Sequence, residues 1–365
     1  MSENESTVSP QRQHAELLAV EVGDWAPLGG DVRLELAGRR TVLVGRNGSG
    51  KSALLEGILL SCAEMPEQLL FEFSPYERRK SIEKTRLALL PKQARFEMRD
   101  SSGKRLFYSC KPGMDESRHW RPDHPHETEI SKGLLEECMV DVLGMHRVLA
   151  GVPRQTSLRG KQIVTVPKGN GYCRYLNRDE PRIGRLAEQL VSRYYQFSDG
   201  KDALAEIDEL GKRIGAWETL RIDSYERAGD PEQLASVSVD GVDLGLLADG
   251  TLRVVELLWE MIRRERQGFR TLLIEEPETG VHPGLLAGLL DTIDAYTVDR
   301  QVIISTHSPQ VVSWAQPQEL RVVTRQEGKT QVRPLSEQQV ALFLKYLHDQ
   351  TLGDFVYSGA LDDEG

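Results

Sequence analysis

Cysteine is scarce in this chain. Cys62, Cys110, Cys138 and Cys173 stand far apart among 365 residues, with no C-x-x-C pair. That spacing argues against a zinc site or a disulfide framework and for unpaired thiols in a reducing cytoplasm. No apolar run approaches the ~20 residues that cross a bilayer, so no membrane span is expected. The polar opening, residues 1–14, lacks the apolar core of a secretory signal and is expected to be a disordered tail. Basic charge is also short. Lys and Arg number 46 against 56 Asp and Glu, and the net charge of −10 excludes a surface that binds nucleic acid as a whole. Repeats and sustained heptads are missing, which excludes a solenoid or a long coiled coil. What is left is ordinary globular composition, 39% hydrophobic and 28% charged, in a length that suits one large domain or two compact ones.

Against that background one stretch stands out. Thr41-Val42-Leu43-Val44 is a short β-prone apolar run that breaks at Gly45 into Gly45-x4-Gly50-Lys51-Ser52. Gly45, Gly48 and Gly50 allow a tight turn whose N–H groups point inward at a phosphate. Lys51 brings an ammonium to the β/γ-phosphates, and the Ser52 hydroxyl is the expected Mg²⁺ ligand. Apolar residues from Ala53 to Leu60 follow at helical spacing, so the phosphates would sit on a helix N-terminus. The whole loop, Gly45, Arg46, Asn47, Gly48, Ser49, Gly50, Lys51 and Ser52, is the expected cradle of a nucleoside triphosphate.

Elsewhere the pattern is mixed. Leu17 to Val22 and Asp31 to Leu36 read as strands, as do Arg95 to Arg99 and Arg105 to Ser109 around a Ser-Ser-Gly turn. Leu186, Leu190 and Tyr194 share one helical face, and Leu204, Ile207, Leu210, Ile214 and Trp217 another. Asp240-Gly241 between apolar runs is a hairpin signal. From Arg147 to Arg185 there are nine basic residues against Asp179 and Glu180, with Tyr172 and Tyr175 interleaved. This is the composition of a patch for nucleic acid or for an acidic protein surface, and equally that of a solvated lid.

Three further pieces belong with the loop. Thr271-Leu272-Leu273-Ile274 is fully apolar and ends in Glu275-Glu276-Pro277-Glu278, the form of a buried parallel strand delivering carboxylates to its ligand-binding end. Beside a phosphate loop, Glu275 would hold Mg²⁺ through water and Glu276 would polarise the attacking water. A second apolar strand, Gln301 to Ser305, delivers Thr306-His307-Ser308-Pro309, which makes His307 a γ-phosphate contact. Leu247-Ala248-Asp249-Gly250-Thr251-Leu252-Arg253 opens a helix with an apolar face at Leu252, Val255, Leu258, Trp259 and Ile262.

In this order the four pieces resemble the ATP-binding-cassette (ABC-type) ATPases, on the RecF, Rad50 and SMC side. The nearest likeness is to the AAA-family ATPases of the overcoming-lysogenization-defect (OLD-like) group. The likeness covers roughly 15–60 and 235–315. It implies an α/β, ABC-type P-loop head with a mixed or parallel sheet, flanking helices and an inserted α+β lid or helical lobe. The implied division is a tail at 1–14, head lobes at 15–60 and 235–335, the insertion at 61–234, and a C-terminal helix and tail at 336–365. It further implies ATP and Mg²⁺ as ligands, Glu276 as catalytic base and His307 as switch histidine. Gly250 and Arg253 would reach the nucleotide of a second head in an ATP-sandwiched homodimer or higher oligomer.

The sequence departs from that pattern at Glu275, where Asp is usual, and at Ala248, where Ser would contact phosphate in trans. The glutamine that senses Mg²⁺ has two candidates, Gln93 and Gln155. The segment after His307 is too short for a fused TOPRIM nuclease. The expectation is therefore a cytoplasmic ATPase that switches a separately encoded effector, a nuclease or toxin, in anti-phage defence. A RecF-like ATPase acting on DNA and a weakly active nucleotide-binding scaffold are the alternatives.

Overall fold

The computed structural model describes residues 16–62, 91–99, 103–110, 146–148, 162–166, 173–175, 181–226, 233–266 and 270–348. In chain order, β1 (Glu16–Trp25), β2 (Gly30–Glu35) and β3 (Arg40–Val44) precede α1 (Lys51–Cys62). Five strands follow: β4 (Gln93–Arg99), β5 (Arg105–Cys110), β6 (His146–Val148), β7 (Val164–Val166) and β8 (Arg174–Tyr175). Helices α2 (Pro181–Gln196) and α3 (Gly200–Ile214) lead to β9 (Leu220–Glu226), β10 (Gln233–Val239) and β11 (Val242–Asp243). Then come α4 (Asp249–Arg266), β12 (Thr271–Glu275), α5 (Pro283–Tyr296), β13 (Gln301–Ser305) and the short α6 (Pro309–Trp314). The described chain closes with β14 (Leu320–Gln326), β15 (Lys329–Pro334) and α7 (Glu337–His348).

The central sheet has the order β15-β14-β3-β13-β12-β6. All neighbours are parallel except the β14–β15 hairpin. Every residue of β3, β12 and β13 is buried, which is why their sequences read as continuous apolar runs rather than alternating ones. Period-two packing still sorts them. Leu43, Leu273 and Ile303 join α1 and the antiparallel sheet on one side. Ile274, Val302 and Ile304 face α4 and α5 on the other. Val42 and Val44 pack with Leu320, Val322 and Phe343. Arg40 enters this buried strand because it pairs with Glu319 at 2.8 Å and Asp294 at 3.2 Å and stacks 4.0 Å from the Trp314 ring.

A second, antiparallel sheet runs β2-β1-β4-β5 over α1. Thus β4, β5 and β6, all drawn from the 61–234 stretch, add strands to the two sheets built from the ends of the chain. The third sheet holds β7 to β11 and packs on α2 and α3, whose buried faces include Leu186, Leu190, Leu204, Ile207, Leu210 and Ile214. At the β10–β11 turn, Asp240 and Gly241 take φ of 50° and 76°, the paired positive values that a two-residue hairpin needs. In α7, Phe343 is fully buried while Leu342 is 38% exposed, because the helix covers only one edge of the sheet.

Gln301 is one of the side chains that tie the two head sheets, beside Arg321, whose Nε donates to the Glu35 carbonyl at 2.7 Å. Gln301 Oε1 accepts from the Leu17 amide at 2.7 Å, and its Nε2 donates to the carbonyls of Leu17 and Gly38 at 2.8 and 2.9 Å. Gln301→Ala strands these buried backbone groups and should lower unfolding stability by about 3 kcal/mol. Urea denaturation of the two proteins checks this; a loss below about 0.5 kcal/mol, the size of a neutral surface change, would refute the tie.

Candidate functional site

Register places the site. Leu43 lies opposite Ser305 and Ser305 opposite Glu275, so β3, β13 and β12 end in one row at their carboxyl edge. The phosphate loop leaves this edge and runs into α1, whose first-turn amides have no intrahelical partner. Two of its three glycines, Gly45 and Gly50, are required sterically. A Cβ on Gly45 would lie 2.1 Å from the Val323 carbonyl oxygen, and one on Gly50 would lie 2.3 Å from Thr330 Oγ1. Thr330 also donates to the Ser49 carbonyl at 3.1 Å, so the β14–β15 hairpin backs the loop.

Lys51 is 4% exposed, and its ammonium donates to the Gly45 and Arg46 carbonyls at 2.8 and 3.1 Å. Among the described residues no carboxylate ion-pairs with it. Burial therefore lowers its pKa to about 8, against the opposing pull of Glu276, Glu278 and Glu275. Those three carboxylates and the ammonium share one site without touching. Arg46, Asn47 and Gly48 are exposed on the crest of the loop, and the Ser52 hydroxyl is exposed beside Lys51. Ser49 Oγ and Ser305 Oγ are buried at this edge without a hydrogen-bond partner among the described residues. A buried cation short of an anion, orphaned hydroxyls and a helix N-terminus fit a bound polyphosphate. The described residues include no cluster of three metal-ligating side chains, so a divalent cation here would share its shell with phosphate oxygens.

Glu276 follows β12 with φ of 43°, a left-handed value that costs a non-glycine residue about 1–3 kcal/mol and marks functional loops. Its amide donates to the Ser305 carbonyl at 2.8 Å, and its carboxylate accepts from Thr279 Oγ1 at 3.0 Å. His307 Nε2 stands 3.5 Å from Glu276 Oε1. The His307 pKa is lowered, chiefly by burial and next by Lys51, while Glu276 acts in the opposite direction. Glu275 is buried at the strand end. The sequence-read phosphate loop, Glu275, Glu276 and His307 are thus brought together.

Arg253 and Gly250 are placed differently. Arg253 is read from sequence as reaching another head, but its guanidinium is 4% exposed inside its own. It donates to the Glu275 carbonyl at 2.9 Å, with Glu256 at 4.0 Å. The helical period that puts it one turn into α4 aims it at β12 rather than at solvent. Gly250 packs against the loop after β12, where a Cβ would lie 2.4 Å from the Gly280 carbonyl oxygen. Gln93 lines a cleft with Asp24, Asp31 and Lys329, and Gln155 lies outside the described residues. Of the basic stretch from Arg147 to Arg185, only the Arg185 side chain, which is exposed, lies within them. The sequence reading missed the role of Glu278, whose carboxylate binds Thr306, His307 and Ser308; its spacing two residues past Glu276 was the available signal.

With this geometry in view, the class of fold is that of the ABC-type P-loop ATPase heads. The SMC head domain with an extended coiled coil, bound to the C-terminal domain of ScpA from Pyrococcus furiosus, superposes with a TM-score of 0.52 at 12% identity. The match covers 92% of this chain and 100% of that one. The SMC head bound to the C-winged-helix domain of ScpA gives 0.49 at 12% identity over 89% and 99% of the two chains. The SMC head domain from Thermotoga maritima gives 0.44 at 13% over 88% and 99%. Residues 155–313 match the family model described as "AAA domain, putative AbiEii toxin, Type IV TA system". No curated protein matches the sequence.

The lowered pKa of Lys51 has a measurable consequence for polyphosphate binding. Triphosphate needs the ammonium, so ATP affinity should be level below pH 8 and fall by about tenfold per pH unit above it. Lys51→Arg, always charged, should remove that slope. Calorimetric titration from pH 6.5 to 9.5 tests this, and a wild-type affinity that stays level to pH 9.5 would overturn it.

Proposed function

We propose that the chain is an ATP-hydrolysing switch. The observation that carries this reading is the gathering of a buried Lys51 ammonium, Glu276 and His307 at the carboxyl edge of one parallel sheet. The phosphate-loop amides and Lys51 hold the β- and γ-phosphates. Ser52 and Glu275 are the side chains that would hold Mg²⁺, which neutralises charge on the phosphate oxygens when bound. Glu276 orients a water and takes its proton as that water adds to the γ-phosphorus. The bond from the γ-phosphorus to the β–γ bridging oxygen breaks, and ADP leaves with the bridging oxygen. His307, beside Glu276, contacts the γ-phosphate.

Glu276→Gln keeps size and polarity but cannot accept the proton. Turnover should fall by about 10²–10⁴-fold with ATP binding retained. Lys51→Ala should instead weaken binding itself. Phosphate release and nucleotide titration separate the two, and a Glu276→Gln protein with wild-type turnover would remove Glu276 from the role.

Two heads close on ATP in this reading. Support comes from the entrance to α4, where Leu246 is 55% exposed and Ala248 and Asp249 are also exposed at the helix N-terminus. Glu276→Gln protein should shift from monomer to dimer on adding ATP. Ala248→Glu, which sets a carboxylate against the incoming triphosphate, should abolish that shift while monomer ATP binding persists. Light scattering reads the outcome; an unchanged dimer in the Ala248→Glu background would exclude this face.

The cycle serves a separate effector, a nuclease or toxin in anti-phage defence, with the basic stretch from Arg147 to Arg185 as its contact. The description of the matched family, which names a toxin of a toxin–antitoxin system, supports that direction.

A further inference from the structure

We infer that Glu278 is the positioning residue that holds His307 over Glu276, an inference that rests on the proposed ATPase reading. One oxygen of its carboxylate, Oε1, accepts three hydrogen bonds from consecutive residues. Thr306 Oγ1 donates at 2.7 Å, the His307 amide at 2.9 Å and the Ser308 amide at 3.1 Å. The Ser308 amide also reaches Thr306 Oγ1 at 2.9 Å, so the turn is closed on itself around that oxygen. From the other side, the Glu276 amide donates to the Ser305 carbonyl. The loops after β12 and β13 are therefore stitched together at both ends of the Glu276–Glu278 segment, and His307 has its backbone fixed where Nε2 stands 3.5 Å from Glu276.

The same bonds exclude Glu278 as the base. Oε1 is taken up by its three donors and is not presented to a water. The other oxygen, Oε2, is buried with no hydrogen-bond partner among the described residues. This asymmetry makes Gln an unusually conservative replacement: it can keep the accepting oxygen in place, and the amide nitrogen takes the position of an atom that bonds nothing. Ala removes all three acceptor contacts.

The test uses the full chain with Glu278→Ala and Glu278→Gln. Displacing a reacting group by about 1 Å costs on the order of 10²-fold, so Glu278→Ala should lose about that much in kcat, with KM for ATP and ATP affinity changed by less than about threefold. Glu278→Gln should recover to within about tenfold of the wild-type kcat, the range left to a weaker acceptor. Wild-type kcat in Glu278→Ala would overturn the inference. So would a Glu278→Gln protein as slow as Glu278→Ala, since the charge itself would then matter. Amide hydrogen exchange supplies a readout free of turnover. The His307 and Ser308 amides should exchange faster in Glu278→Ala and remain protected in Glu278→Gln, with β13 unchanged in both. Equal protection of the two amides in wild type and Glu278→Ala would also overturn the inference. If the wild type fails to hydrolyse ATP, the ATPase reading fails, and the exchange arm still decides whether Glu278 holds the loop.

Discussion

A buried ammonium with no carboxylate in contact among the described residues is the constraint on which the rest of this structure depends. Taking Lys51 out of water is costly, and two backbone carbonyls only partly offset the loss, as its depressed pKa records. Had any of Glu275, Glu276 or Glu278 closed onto it, the cation would be neutralised and the loop would have little use for an anion. Instead two of these carboxylates are held elsewhere. Glu276 is turned by its left-handed φ and held by Thr279, and Glu278 is spent on the 306–308 turn.

Parallel strands make this arrangement possible. Because β3, β13 and β12 end in register, groups from distant parts of the chain arrive at one edge without any loop having to cross the sheet. The same edge is backed on the other side by the β14–β15 hairpin, whose Thr330 and Val323 leave no room for a side chain at Gly50 or Gly45. The loop is thus shaped by its neighbours as well as by its own glycines.

Arg253 connects this edge to α4. Its bond to the Glu275 carbonyl couples the helix entrance, where Leu246, Ala248 and Asp249 face outward, to the strand that carries Glu276. A displacement of that entrance would be felt one residue from the candidate base, through a hydrogen bond rather than through a flexible loop.

The phosphate loop, the carboxylate strand and the histidine strand were legible in the sequence, because each is a local pattern: an apolar run, a break, then a polar group whose chemistry names its use. The Asp240-Gly241 turn and the helical faces of α2 and α3 were legible for the same reason. The Arg253 contact to Glu275 was not legible, because amphipathic spacing tells which side of a helix a residue lies on but not what stands opposite. Glu278 and Gln301 were overlooked because their partners, Thr306 to Ser308 and Leu17, are remote in sequence, and a carboxylate or amide has no local signature of what it will bind. The sequence by itself determined the elements and their chemical inventory, through periodicity and backbone preference. Only the tertiary structure decided which charges meet and which are kept apart, since that depends on burial and on register between strands far apart in the chain.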